Sequence, residues 1–191
     1  MTPENMWQRV GEEDHESLDH RVRPLEERLA RIFQIKTIDG KLVQDLCRSF
    51  IEPIFARGAL YDDAIPALQE AKSRDIKTAI VSNTPWGSPA GLWREEGERL
   101  GLGELTDTVV FCREVGWSKP AKQVFLHTLD QLGSQPSCSL FVGDDPRWDL
   151  VGPESIGMEA VLINRQGMHP NGGERSIETL NQIWDRLVSM Q

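Results

Sequence analysis

Apolar residues recur at helical spacing through the first 75 positions, then switch to short continuous runs from position 76 onward. Leu25, Leu29, Ile32 and Phe33 repeat on one face after Pro24, a residue suited to a first turn. Leu42, Val43, Leu46, Cys47, Phe50, Ile51, Ile54 and Phe55 form a longer stripe that ends near Gly58. A third helix is expected to start with Asp62 or Asp63 as N-cap, to carry Pro66 in its first turn, and to bury Ile65 and Leu68. "KTAIVSN" (77–83), "TVVFC" (108–112), "CSLFV" (138–142) and "EAVLI" (159–163) read as buried strands. Helical patterns lie between them at 89–100 and 121–132, the latter with Val124, Phe125, Leu129 and Leu132 at helical spacing. A final helix is expected from about Ser176, with Ile177, Leu180, Trp184 and Leu187 on one face. Strand alternating with helix predicts right-handed crossovers and a parallel sheet covered on both sides, an α/β fold following a helical part.

Composition adds little to this organisation but narrows the partners. The 191 residues carry 21 basic and 30 acidic side chains, a formal charge of −9, with no basic run suited to nucleic acid or an anionic membrane. No apolar run reaches the roughly 20 residues that span a bilayer. The polar, acidic start "MTPENMWQRVGEEDHESLDH" is unlike a secretory or mitochondrial leader, so a cytoplasmic protein is expected. Cys47, Cys112 and Cys138 lie far apart inside apolar stretches and read as reduced core residues.

The chemistry concentrates where strands end. Ser82, Asn83 and Thr84 follow the first strand, "GWSKP" (116–120) follows the second, and "GDDPRWD" (143–149) follows the third. In a parallel sheet these three clusters converge on one edge, where α/β sites form. A hydroxyl, the Lys119 ammonium and a pair of carboxylates gathered there suit a phosphate bound beside Mg²⁺. Each cluster alone is ordinary turn or cap chemistry; their order and placement together carry the signal.

Those residues resemble the haloacid dehalogenase superfamily of Asp-dependent phosphohydrolases. "AIVSNT" is similar to its second motif, "EVGWSKPAKQVF" to its third, and "LFVGDDPRWDLVGPESIGMEAVLI" to its fourth. The resemblance implies a Rossmann-like parallel core over 61–191 and, over 1–60, a helical cap as in phosphoglycolate-phosphatase-like relatives. It implies Ser82 and Asn83 as phosphate ligands, and Lys119 as both a phosphate ligand and a catalytic stabiliser of charge. It implies Asp144 as a Mg²⁺ ligand, Asp145 as a metal-binding or catalytic carboxylate, and Asp149 as a brace for the loop.

One part of that pattern is not matched. The superfamily's first motif is an apolar strand ending in Asp-x-Asp-Gly-Thr, whose first Asp is the nucleophile. Only "KTIDGKLV" resembles it, putting Thr37 at the nucleophile position and Asp39 at the acid/base position. The charged, helical "EERLARIFQIK" before it fits a turn between helices instead. The expectation is therefore an atypical or N-terminally truncated Mg²⁺-dependent phosphatase acting on small phosphomonoesters. Alternatives are a non-catalytic phosphate-binding or scaffolding protein, a mis-assigned start codon, and, less favoured, a dehalogenase. By the resemblance the unmatched strand lies between those at 77–81 and 138–142. Its loss would expose two strand edges, so a homodimer covering them is expected.

Overall fold

The computed structural model describes residues 2–15, 17–165, 167, 169 and 176–189. Its N-terminal portion is helical. Helix α1 (Pro3–Glu13) is capped by the Thr2 hydroxyl, which accepts from Asn5 N at 3.4 Å. It lies against α2 (Leu25–Phe33), and Arg31 grips the Glu13 carboxylate with bonds of 2.6 and 3.0 Å. Helix α3 (Lys41–Phe55) packs its stripe on α2, so that Leu25, Leu29, Val43 and Cys47 form a buried cluster. Burial raises the Cys47 thiol pKa to about 11, which keeps it an inert core residue. Asp39 lies in the turn between α2 and α3, off any strand.

Helix α4 (Ala64–Ser73) leads into β1 (Ala79–Ser82), and α5 (Ala90–Arg99) joins β1 to β2 (Thr108–Phe111). These two strands run parallel with Ala79 opposite Thr108 and Ser82 opposite Phe111. A short α6 (Cys112–Val115) and the longer α7 (Lys122–Leu132) connect to β3 (Leu140–Gly143). After α8 (Val151–Glu154), β4 (Glu159–Ile163) pairs parallel with β3, and β5 (Ser176–Ile177) extends that sheet parallel to β4. Helix α9 (Ile183–Ser189) ends the described chain.

The parallel strands thus form two sheets, β1–β2 and β3–β4–β5, with no described strand between them. Helix α7 ties them together. Its Val124, Phe125 and Leu129 are buried with Val110 and Met158, against Val81 of one sheet and Phe141 of the other. The Phe125 and Phe141 rings meet edge to face at 5.1 Å. Val110 and Phe111 of β2 and Ala160–Leu162 of β4 are buried, whereas every residue of β1 and β3 is only half-buried. β1 and β3 each have one edge that no described strand pairs.

Two expectations are corrected. Ser176 and Ile177 do not start a helix; they pair with Leu162 and Ile163 as β5, because the apolar edge of β4 satisfies their backbone better than a helix end would. Cys138 is exposed rather than in the core, since it closes the 3₁₀ turn Pro136–Cys138 ahead of β3. No helix among the described residues is long and apolar enough to cross a membrane.

Candidate functional site

The polar ends of β1 and β3 and the loop after α6 meet at one edge of the fold. Ser82 closes β1, and Asn83 follows it as a clamp. Its side-chain amide donates to the Lys119 carbonyl at 3.2 Å, and its Oδ1 accepts from Lys119 N at 2.8 Å. The Lys119–Pro120 peptide, held by this clamp, is cis. The lysine loop is also stitched to the segment before α2. Ser118 N donates to the His20 carbonyl at 2.8 Å and Val22 N to the Gly116 carbonyl at 3.0 Å. The Arg21 guanidinium lies 4.4 Å over the Trp117 ring.

The Lys119 ammonium donates to Asp149 Oδ1 at 2.7 Å, and the two side chains are only 12% and 3% exposed. The other Asp149 oxygen accepts the backbone N–H groups of Asp144 and Asp145, both at 3.0 Å. A buried ion pair is costly unless its remaining hydrogen-bond capacity is used, and here one carboxylate takes three donors. Asp149 fits beneath the loop because Gly143 has no side chain: a Cβ there would stand 2.3 Å from Asp149 Cβ. Gly143 and Asp149 therefore form a unit that turns β3 sharply into its acidic loop.

The three carboxylates of that loop have different partners. Asp149 holds Lys119. Asp145 caps the π-helical turn Pro146–Leu150, accepting from Arg147 N at 2.9 Å, and lies in the fork of the Arg147 guanidinium at 3.1 and 2.7 Å. That contact holds its carboxyl below the usual aspartate range. Asp144 is exposed, and its carboxylate has no hydrogen-bond or ion-pair partner among the described residues. His169 donates from Nε2 to the Asp144 carbonyl at 3.1 Å. Its backbone is pinned by Asn164, so this histidine sits against the acidic loop.

Among the described residues no group of three or more His, Cys, Asp or Glu side chains is arranged to hold a metal ion. That donor set excludes an all-protein cage but fits the way Mg²⁺ is commonly held, by one or two carboxylates with substrate phosphate and water completing its shell. Asp144 is the carboxylate available for it.

A cleft of about 470 Å³ opens beside Asn83 and Lys119 and runs under the segment that links α1 to α2. Trp86 lines it. Its indole N–H donates to Asp14 at 3.1 Å, and its ring packs on Phe50 at a centroid distance of 5.6 Å. Trp86 thus combines helix packing with a place in the cleft wall, whereas Trp117 stays outside the lining. The cleft also draws in Arg23 and Arg28, which motif reading passed over. The available signal was the basic run "HRVR" (20–23) within a chain of net charge −9.

Comparison with known proteins shows the family of the chain. The family described as haloacid dehalogenase-like hydrolase matches residues 4–157. A ribulose-1,5-bisphosphate 5-phosphatase of Halopiger xanaduensis is 33% identical over 142 residues, covering 69% of this chain and 57% of that protein. A phosphoserine phosphatase of Thermus thermophilus is 30% identical over 176 residues, covering 91% of this chain and 68% of that protein. Among solved structures, a HAD phosphatase from Thermococcus onnurineus superposes with a TM-score of 0.69 at 26% identity, covering 96% of this chain and 78% of that one.

Proposed function

Because the chain belongs to the haloacid dehalogenase-like hydrolases, we propose that it binds and hydrolyses small phosphomonoesters at the edge formed by Ser82, Asn83, Lys119 and Asp144. The observation that carries this is the Asn83–Lys119–Asp149 network, which fixes an ammonium at the strand ends on the same carboxylate that holds the Asp144 N–H. Relatives whose names denote phosphatases support the reaction class.

The Ser82 hydroxyl and the Lys119 ammonium hold the phosphoryl oxygens, with Asn83 keeping the lysine backbone in register. Asp149 keeps the Lys119 ammonium pointed along one direction. Asp144 would hold Mg²⁺, which would supply further neutralisation of phosphoryl charge. Asp145 takes part by shaping the loop through Arg147 and contributes a second carboxylate if that fork opens. The helices over 1–60 act as a cap over the core at 61–191 and shape the cleft that selects the substrate.

Hydrolysis of p-nitrophenyl phosphate with Mg²⁺ tests the proposal. Asp144→Asn and EDTA should each lower the rate at least about tenfold, and an unchanged rate would assign the activity elsewhere. A second reading, phosphate binding without turnover, is favoured by the placement of Asp39 in an inter-helix turn rather than at a strand end. Thermal stabilisation by phosphate without product release would select it.

We also propose that two chains associate so as to cover the half-buried inner edges of β1 and β3. Light scattering should report a dimer. A well-folded monomer across a wide concentration range would exclude it.

A further inference from the structure

Asp144 follows directly on β3, which ends at Gly143, and the peptide planes on either side of it are tied down. The plane before it is held by one bond, the Asp144 N–H donating to Asp149 Oδ2 at 3.0 Å. The plane after it is held at both edges. The Asp145 N–H donates to the same Asp149 oxygen at 3.0 Å, and the Asp144 carbonyl accepts from His169 Nε2 at 3.1 Å. In a trans peptide the N–H and C=O point to opposite sides, so these two bonds grip one rigid plane from opposite sides. Rotating that plane breaks both at once. Asp149 anchors the N–H side alone, and His169 closes the clamp.

His169 is itself held from the end of β4. Asn164 follows that strand, and its N–H donates to the Ile177 carbonyl of β5 at 2.7 Å. The Asn164 side-chain amide donates to the His169 carbonyl at 2.9 Å and accepts from His169 N at 3.3 Å. Gly167 turns the chain between them at a φ of +64°, its N–H donating to the Asn164 carbonyl at 3.4 Å. The imidazole thus reaches Asp144 from a strand end, through bonds that fix where it stands. A carbonyl oxygen has no proton to give, so Nε2 carries the hydrogen whatever the state of Nδ1. The tie does not depend on the charge of the ring.

We propose that His169 is a positioning residue, setting the Asp144 main chain so that its carboxylate meets Mg²⁺ in one orientation. This rests on the reading of Asp144 as the Mg²⁺ carboxylate. Where one or two carboxylates hold the ion, the aim of each matters more than where many ligands share the work. Groups that orient a ligand from behind typically change metal affinity about 10–100-fold. Lys119 is held by Asn83 and Asp149 instead, so loss of His169 acts on the metal rather than on the phosphate.

Two calorimetric titrations of the full chain separate these effects: MgCl₂ into protein saturated with inorganic phosphate, and inorganic phosphate into protein in EDTA. His169→Leu should weaken Mg²⁺ about tenfold or more and leave phosphate affinity in EDTA unchanged. His169→Gln, whose amide N–H can stand in for that of Nε2, should restore most of the Mg²⁺ affinity. If circular dichroism shows that His169→Leu has lost its fold, Asn164→Ala removes the two amide bonds that seat His169 and should give the same split. Unchanged Mg²⁺ affinity in a folded His169→Leu, or an equal loss in both titrations, would overturn the positioning role while leaving the Asp144 site standing. A His169→Gln protein as weak as His169→Leu would overturn it too, since the donated hydrogen bond would then not be the agent. A wild type that takes up no Mg²⁺ when loaded with phosphate would overturn the Asp144 reading, and this one with it.

Discussion

Gly143 and Asp149 show how much of the site depends on single atoms. A methyl group at position 143 would lie 2.3 Å from Asp149 Cβ and Cγ, so Gly143→Ala must push Asp149 out of its place. That displacement frees Lys119 and the two backbone N–H groups that Asp149 holds. Urea unfolding should show a loss of about 2–4 kcal/mol, as overpacking and a disrupted buried pair combine. Gly97→Ala in α5 is the contrast, because nothing lies within 4 Å of the added Cβ. It should be neutral or stabilise by about 0.5–1 kcal/mol through helix propensity. At this scale the sequence announced which residues matter but not how they pair. Asp144, Asp145 and Asp149 look alike in "GDDPRWD", and their roles diverge only once a tight turn brings Arg147 to Asp145 and the lysine loop to Asp149.

Elements with strong periodicity were legible to within a residue or two. Helix α3 at Lys41–Phe55 and strand β4 at Glu159–Ile163 follow their apolar patterns directly. Elements held by distant partners were not. Asp63 occupies the N-cap position of α4, yet its side chain does not cap the helix. Its carboxylate instead grips Arg165 at 2.7 and 2.8 Å and accepts from Leu180 N at 2.8 Å, joining α4 to the segment that carries β5. Local spacing cannot reveal a partner more than a hundred residues away, and it also missed the pairing of Ser176–Ile177 with the β4 edge. The Arg165 hydrogen bond, with that of Leu180, lowers the Asp63 pKa from 3.8. A carboxyl whose native pKa is depressed contributes stability above its unfolded value and loses it as pH falls through the native value. Asp63→Asn should therefore cost about 1–3 kcal/mol near neutral pH, the range for a charge-assisted hydrogen bond. The difference from wild type should shrink as pH is taken below 3.8, followed by melting temperature. A pH-independent difference would show that the charge of Asp63 plays no part.

For the whole molecule, two parallel sheets are tied by α7, whose buried cluster takes in Val81 of β1 and Phe141 of β3. Alternating strand and helix patterns foretold the parallel strands and the convergence of their polar ends, because both follow from chain direction alone. The cleft was illegible by comparison. It forms where the basic segment before α2 is stitched to the lysine loop by backbone bonds, which composition does not encode. If the strand ends of β1 and β3 and the Lys119 loop make one phosphate site, calorimetric titration of inorganic phosphate in Mg²⁺ should reveal it without requiring turnover. Saturable binding to the wild type is expected, weakened about tenfold in Ser82→Ala and at least as much in Lys119→Met, each variant being checked for folding. Absent binding to the wild type, or equal affinity in a folded Lys119→Met, would contradict it.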